Sequence, residues 1–216
     1  MRPWFWLIWS LSGAFYKELF HAHIEGRENI PSGCFLAVSN HQSFLDPPLV
    51  GSGVKRSINY LARESLFRFP VVGWVLHQWQ VVPVDREGGG AKGLKAILDR
   101  LLRGGAIILF PEGTRTRDGK LQPARSGIGL TVIKSAAPVV PVRVFGTFEA
   151  FGRHMKFPRP HRVAVKYGRP MAFADLRKEA DNCSKQRLKE IYQQVADEIM
   201  AAIAKLEPSE DKEKFP

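Results

Sequence analysis

Two short segments of the chain carry side chains suited to proton transfer and to anion binding. Residues 40–46 have the sequence NHQSFLD, and residues 110–116 have the sequence FPEGTRT. In the first segment, His41 could act as a base, with Asp46 as the carboxylate that orients its ring. In the second, Glu112 and Arg115 lie on either side of Gly113 in a predicted turn. Together the segments indicate acid–base chemistry beside a site for a phosphorylated alcohol.

His41 and Asp46 can act as a pair only if the local structure brings their side chains together. Five residues correspond to about 140° around a helix, so a continuous helix would separate the two side chains. Asp46 precedes two prolines, which predicts a helix that Asp46 caps and that has Pro47 at its first position. A strand–loop–helix passage would instead fold Asp46 back onto His41. Taken singly, Asp46 could be only a helix cap and His41 only a loop histidine.

Size and charge narrow the class of protein. The 216 residues are enough for one domain with its own core, and two cysteines are too few for a disulfide framework. The other histidines are scattered, so no metal site is predicted. Lys and Arg number 32 against 21 Asp and Glu, a net charge of +11, which favours nucleic acid, anionic lipid or an acidic carrier protein. No nucleic-acid-binding signature accompanies this charge, which argues against nucleic acid.

The N-terminal segment predicts contact with a membrane. Residues 4–16 have the uncharged sequence WFWLIWSLSGAFY. Such a segment is too short to cross ~30 Å of hydrocarbon, which needs about 20 residues, and its tryptophans argue against a cleaved signal peptide. Because tryptophan and tyrosine prefer the headgroup level, residues 4–20 are predicted to form a helix in the membrane interface. The alternative is a helix that packs on the domain itself.

Alternating strand and helix patterns predict an α/β fold with functional loops at the strand ends. Strands are predicted at 34–38, 58–62, 81–84, 106–110, 139–145 and 162–167, and helices at 92–102, 126–136 and 184–206. The predicted organisation is an interfacial helix at 1–24, a domain at 25–206 and a charged, disordered tail at 207–216.

The order of the motifs resembles that of the glycerolipid acyltransferases, in particular those that act on 1-acyl-glycerol-3-phosphate. The matching blocks are residues 40–46 (NHQSFLD), 63–66 (RESL), 69–74 (FPVVGW), 84–86 (VDR), 110–115 (FPEGTR) and 137–142 (APVVPV). Any one block would be weak, but the blocks occur in the family's order over residues 25–170. The resemblance implies a single domain with a central mixed sheet flanked by helices, plus the interfacial helix.

The resemblance also implies a reaction. His41 would be the general base that removes the proton from an acceptor hydroxyl, and Asp46 would orient it. The alkoxide would attack an acyl thioester directly, without an acyl-enzyme and without a cofactor. The donor would be acyl-CoA or acyl carrier protein, the acceptor lysophosphatidic acid at its sn-2 hydroxyl, and the product phosphatidic acid.

Acceptor-binding residues follow from the same resemblance. They are Arg86, Glu112, Gly113, Thr114, Arg115 and Arg125. Glu112 would contact a glycerol hydroxyl or brace Arg115, while Arg86 could instead be an exposed charge. Arg125 stands where the family often has lysine, in a local sequence that departs from the family's Phe-Lys-x-Gly. The apolar segments 66–74 and 139–142 could line an acyl-chain groove.

Alternatives remain for the acceptor, the class of protein and the location. The acceptor could be another lysolipid, such as lyso-ornithine lipid. A non-catalytic protein that binds anionic lipid would explain the charge and the N-terminus, but it would leave both motif blocks unexplained. The compact size and the single short anchor suggest a bacterial-type, monotopic enzyme on the cytoplasmic face of the inner membrane, where thioester donors are available.

Overall fold

The computed structural model of the protein describes residues 16–78, 81–84 and 91–208. The strands in these ranges are β1 (His23–Glu25), β2 (Phe35–Ser39), β3 (Ile58–Asn59), β4 (Leu61–Arg63), β5 (Val82–Val84), β6 (Ala106–Leu109), β7 (Val139–Phe145) and β8 (Ala164–Tyr167). The helices are α1 (Asp46–Ser52), α2 (Pro70–Gln78), α3 (Ala91–Leu102), α4 (Gly127–Ser135), α5 (Thr147–Phe151), α6 (Ala174–Asp181) and α7 (Lys185–Lys205). Single 3₁₀ segments occupy Arg27–Asn29 and Glu64–Arg68.

The main sheet has the strand order β1-β8-β7-β2-β6-β3, and β4 and β5 form a separate parallel pair. Strands β7, β2, β6 and β3 run parallel, whereas β8 is antiparallel to β7, so the predicted mixed sheet is confirmed. In the β2–β6 pair, Val38 lies opposite Leu109. The segments that follow these two strands therefore leave the sheet at the same edge, and they are the two segments with catalytic potential.

Helices cover both faces of the sheet. Alternation along β2 sends Phe35 and Ala37 to one face and Leu36 and Val38 to the other. The first face packs against the helical residues 16–20, α1 and α5, and the second packs against α3, α4, α6 and α7. All four β2 side chains named here are fully buried, as expected for a central strand between two helical layers.

The N-terminal boundary differs from the prediction. Tyr16 and Phe20 are 3% and 0% exposed and belong to the hydrophobic core, and β1 pairs with β8. The predicted boundary after residue 24 falls inside β1, so residues 16–24 are part of the domain. The rest of the predicted interfacial helix lies outside the described residues. Within the described ranges, no helix is long and apolar enough to cross a membrane.

Two other predicted segments also differ in detail. The single strand predicted at 58–62 divides at Tyr60, so β3 joins the edge of the main sheet and β4 pairs with β5. At the C-terminal end, the Lys166 Nζ donates to the Glu207 carbonyl at 2.7 Å. The remainder of the predicted tail, residues 209–216, lies outside the described residues.

Candidate functional site

A histidine–aspartate pair lies at the carboxyl end of β2. The His41 Nδ1 is 2.8 Å from the Asp46 Oδ2, so the loop folds the aspartate back onto the histidine as predicted. The same oxygen accepts the backbone N–H groups of Gln42 at 2.6 Å and Ser43 at 2.7 Å. Asp46 is fully buried. Three N–H donors on Oδ2 offset part of the free energy that the carboxylate loses on leaving water, and they fix its orientation.

The role of Asp46 in the helix differs from the predicted cap. Asp46 is the first residue of α1 rather than its cap, the cap position belongs to Leu45, and Pro47 is the second helical residue. The Asp46 carboxylate points back to the preceding loop, where it accepts from Gln42 and Ser43. The sequence pattern that predicts a helix start thus also supplies the orienting group of the pair.

The tautomer of His41 follows from this contact. Since a carboxylate only accepts hydrogen bonds, the hydrogen lies on Nδ1, and Nε2 keeps a lone pair. No other group among the described residues hydrogen-bonds to the ring. The ring stacks on Phe110, with centroids 4.0 Å apart and planes 20° apart, and the side chain is 18% exposed. His41 is therefore arranged to take a proton from a group that reaches Nε2.

Glu112 lies beneath the His41 loop rather than on the surface. It is 4% exposed, and its Oε1 accepts the His41 backbone N–H at 3.4 Å. Burial raises the pKa of Glu112 to about 7, against the opposing hydrogen bonds from the backbone N–H groups of His41 and Gln122, and the Asp46 charge adds to the rise. This carboxyl is thus placed to hold the loop.

The turn that follows β6 requires a glycine. The Gly113 N–H donates to the Phe110 carbonyl at 3.1 Å, and its φ is 71°, in the left-handed region. A Cβ at Gly113 would lie 3.0 Å from the Arg125 Cδ. The turn therefore brings Arg125 against residues 112–115.

Further hydrogen bonds fix the His41 loop to its neighbours. The Thr116 N–H donates to the His41 carbonyl at 2.9 Å, and the Gln42 Nε2 donates to the Gly119 carbonyl at 2.8 Å. On the other side, the Asn40 side chain accepts the Val144 N–H at 2.8 Å and donates to its carbonyl at 3.2 Å. The loop is thereby held by β7 on one side and by the segment that follows β6 on the other.

The predicted anion-binding side of the site is more open. The Arg115 guanidinium lies 3.4 Å from the centroid of the Phe44 ring. Phe44 is 55% exposed, and the centroids of its ring and the Phe151 ring are 5.4 Å apart. Thr114 is exposed in the same turn, and the exposed Arg125 donates its backbone N–H to Pro111. Arg86 lies outside the residues that the structure describes. The structure thus brings five of the six predicted acceptor-binding residues into one turn and its neighbour.

An apolar cavity of about 350 Å³ adjoins the pair. Its lining includes His41 and Arg125, together with apolar side chains from β4, α3, β6 and α4: Leu61, Ile97, Ile108 and Ile128. Residues 139–142, which were also predicted to line an acyl-chain groove, are not among the residues that line this cavity. The 66–74 segment is not part of the lining either, and its Leu66, Phe69 and Trp74 are exposed.

Among the described residues, no group of three or more His, Cys, Asp or Glu side chains could hold a metal ion. The side chains at the site that can take part in chemistry are the histidine, the two carboxyl groups and the arginines.

Comparisons with known proteins bear on the same region. A family model described as Acyltransferase matches residues 21–145, which include both motif blocks. The chain belongs to the acyltransferase family. A chloroplastic 1-acyl-sn-glycerol-3-phosphate acyltransferase of Brassica napus is 37% identical over 138 residues, which are 62% of this chain and 38% of that relative. A 1-acyl-sn-glycerol-3-phosphate acyltransferase of Bacillus subtilis is 30% identical over 125 residues, 57% of this chain and 62% of that relative.

A solved structure is similar over most of the fold. The crystal structure of PlsC, the 1-acyl-sn-glycerophosphate acyltransferase of Thermotoga maritima, matches with a TM-score of 0.70 and 26% identity, over 97% of this chain and 86% of that one. The α/β fold is thereby confirmed. The matched region of the Brassica relative is less than half of that protein's own length.

Several residues of the site were not predicted. Phe110 supports the base by stacking, Phe44 carries Arg115, and Gln42 joins the His41 loop to Gly119. All three lie inside the predicted motif blocks, and Gln42 and Phe44 occupy positions that were treated as spacers. An aromatic residue in a polar loop beside a predicted base was the available signal for Phe44 and Phe110.

Proposed function

We propose that the protein transfers a fatty acyl group from a thioester to the sn-2 hydroxyl of 1-acyl-glycerol-3-phosphate, which gives phosphatidic acid. The observation that carries this proposal is the 2.8 Å contact between His41 Nδ1 and Asp46, which leaves the lone pair on Nε2, in a ring that lines an apolar cavity. The names of the Brassica and Bacillus relatives and of the Thermotoga structure support the choice of acceptor.

The geometry supports direct transfer. The His41 Nε2 accepts the proton of the acceptor hydroxyl while that oxygen attacks the thioester carbonyl, and Asp46 stabilises the imidazolium. Collapse of the tetrahedral intermediate breaks the C–S bond, and the proton passes from Nε2 to the thiolate. Ser43 is not a nucleophile in this scheme, because its hydroxyl donates to the Phe151 carbonyl at 2.7 Å. No acyl-enzyme and no cofactor are needed.

The substrates would approach from two sides. The Arg115 and Arg125 guanidiniums, with Arg86, would bind the phosphate of the acceptor, since a planar guanidinium matches phosphate oxygens. The apolar cavity that contains Ile97 and Ile128 would receive an acyl chain. The donor would be acyl-CoA or acyl carrier protein, and both are polyanionic.

The N-terminal segment would attach the protein to the cytoplasmic face of a bacterial inner membrane. Its described end is tied to the site, because the Tyr16 hydroxyl donates to the Leu45 carbonyl at 2.9 Å. Burial, together with the nearby Asp46 charge, raises the pKa of the Tyr16 phenol well above its ordinary value, so the phenol remains a donor. A deletion of residues 2–15 keeps these contacts and should reduce sedimentation with liposomes. Unchanged sedimentation would reject the membrane role.

The first experiment compares wild type with His41→Ala, using labelled lysophosphatidic acid and either acyl-CoA or acyl carrier protein thioester. Loss of the base should lower kcat by about 10²–10⁴-fold, while the exposed His77→Ala control keeps the wild-type rate. Equal activity in His41→Ala would overturn the mechanism. Product with another lysolipid only would favour the alternative acceptor, and an acyl-protein adduct in a quenched reaction would contradict direct transfer.

A further inference from the structure

A basic loop follows α5. Residues 153–162, with the sequence RHMKFPRPHR, are here called the basic loop, and they contain four Arg or Lys residues and no acid. The four cations are Arg153, Lys156, Arg159 and Arg162. All four are exposed, and none forms an ion pair with a described carboxylate. The loop thus presents a cluster of positive charges that described carboxylates do not neutralise.

The basic loop also contains an exposed aromatic residue, Phe157, with cationic residues on both sides in the sequence. Phe157 is 79% exposed, and it lies between Lys156 and Pro158. An exposed phenyl ring would gain stabilisation by entering a partner that has an apolar component. A lipid surface supplies both components in one plane, because the ring enters the acyl boundary while the neighbouring cations stay at the phosphates.

The basic loop is held in place by the fold. Its Met155 N–H donates to the Gly152 carbonyl at 3.1 Å, and its Arg159 N–H donates to the Ala150 carbonyl at 2.8 Å. Pro158 and Pro160 further restrict the backbone. The backbone of the basic loop is therefore held in position relative to α5.

The start of the basic loop adjoins the catalytic site. Gly152 pairs in an antiparallel bridge with Ser43, and Ser43 is two residues after His41. The Phe151 ring contacts Phe44, whose ring carries the Arg115 guanidinium. The Phe44–Phe151 contact thus lies between Arg115, on the acceptor-binding side, and the start of the basic loop.

We infer that the basic loop docks on an anionic phospholipid bilayer, with Phe157 inserted at the interface. Docking there would bring the site to the headgroup level, where the phosphate of a lysolipid acceptor lies. The choice of acceptor rests on the proposed function, whereas the docking itself rests on the exposure, charge and position of the loop.

Vesicle binding by the full-length protein tests the inference. Each cation at an anionic surface contributes about fivefold in affinity, so Lys156→Gln/Arg159→Gln should bind phosphatidylglycerol-containing vesicles about 25-fold more weakly at low salt. The matched control is Lys185→Gln/Lys189→Gln, which removes the same charge from the exposed surface of α7 on the opposite face of the sheet. Phe157→Ser should weaken binding without any change of charge. Vesicles of phosphatidylcholine alone should bind all charge variants equally.

Turnover separates the possible outcomes. With a short-chain, water-soluble lysophosphatidic acid and no bilayer, the loop variants should retain the wild-type rate. Equal vesicle binding by loop and control variants would overturn the inference. Retained vesicle binding with turnover lost only for the carrier-protein thioester would overturn it in favour of an acidic protein partner. Loss of vesicle binding in a protein without any acyl transfer would support the docking surface and refute the proposed function.

Discussion

The proton-transfer side of the site and its anion-binding side are built differently. Asp46 is fully buried and has three donors on one oxygen, and His41 is stacked on Phe110. Arg115, by contrast, rests on the Phe44 ring, which is itself 55% exposed, and Arg125 is exposed. The proton-transfer side is enclosed by the fold, whereas the anion-binding side is partly exposed.

The difference matches what each side has to do. Proton transfer requires a fixed distance and direction, and enclosing the pair supplies both before the substrate arrives. Phosphate binding tolerates small movements, because charge acts over a longer range and a long side chain can adjust. The contrast predicts that changes on the enclosed side lower kcat, whereas changes on the open side raise KM.

The largest effect is expected for Asp46→Asn. The neutral amide would not stabilise the imidazolium and would allow the wrong tautomer of His41, so kcat should fall by about 10²–10⁴-fold. KM for the acceptor should change little. The measurement is steady-state kinetics on protein shown to be folded by circular dichroism.

The control for this variant is Ser52→Ala in the same helix. Ser52 is also buried, and its hydroxyl donates to the Leu49 carbonyl at 2.7 Å. The Ser52→Ala protein should be less stable than wild type but have the wild-type kcat. A folded Asp46→Asn protein with the wild-type kcat would remove the functional distinction between the two sides of the site.

An intermediate effect is expected for Arg115→Lys. The lysine keeps the charge but loses the planar fork and the stacking on Phe44, so KM for lysophosphatidic acid should rise about tenfold while kcat stays nearly unchanged. The neighbouring Arg117→Lys, at an exposed position of the same segment, is the matched control. Acceptor titration of both variants checks this, and a fall in kcat instead of a rise in KM would place Arg115 on the enclosed side.

The smallest effect on turnover is expected for Glu112→Gln, because glutamine still accepts the His41 N–H. Its effect should be on stability. The pKa of Glu112 rises from its ordinary 4.5 to about 7 in the fold, so the folded state binds more protons than the unfolded state between these values. Wild-type stability therefore falls as the pH rises from about 4.5 to about 7 and does not recover above that range.

Glu112→Gln removes this loss of stability at high pH, because glutamine does not ionise. Glu112→Gln should be more stable than wild type by about 1–3 kcal/mol at pH 8, with a smaller gain at pH 5. Urea unfolding at both pH values measures the difference. A variant that is less stable than wild type at pH 8 would show that an ionised Glu112 stabilises the fold.

The sequence predicted the central elements well because their patterns are strong. The apolar run of β7 and the long amphipathic pattern of α7 were confirmed to within a residue. β1 was missed because its three residues, His23–Glu25, have no apolar pattern, and its only signal is pairing with β8. The short α5 was missed for a related reason, since five residues carry too little periodicity.

The same limit applies to the site. The predicted strand–loop–helix passage, rather than the five-residue spacing itself, indicated that Asp46 could meet His41. The backbone donors from Gln42 and Ser43 depend on the path of the loop. The cavity was predicted from apolar segments, yet its walls come from Leu61, Ile97 and Ile128, which are brought together only by the tertiary fold.

The position of β2 has a consequence for how the protein is made. The His41 N–H bonds to a side chain 71 residues later, and Asn40 bonds to the backbone 104 residues later. Because synthesis proceeds from the N-terminus, the reactive histidine leaves the ribosome well before β6 and β7, the strands that flank β2. A nascent chain that stops short of Phe145 has its base but not the frame that orients it. On the proposed function, acyl transfer therefore requires a chain that extends through β7, and products truncated before Phe145 should be inert.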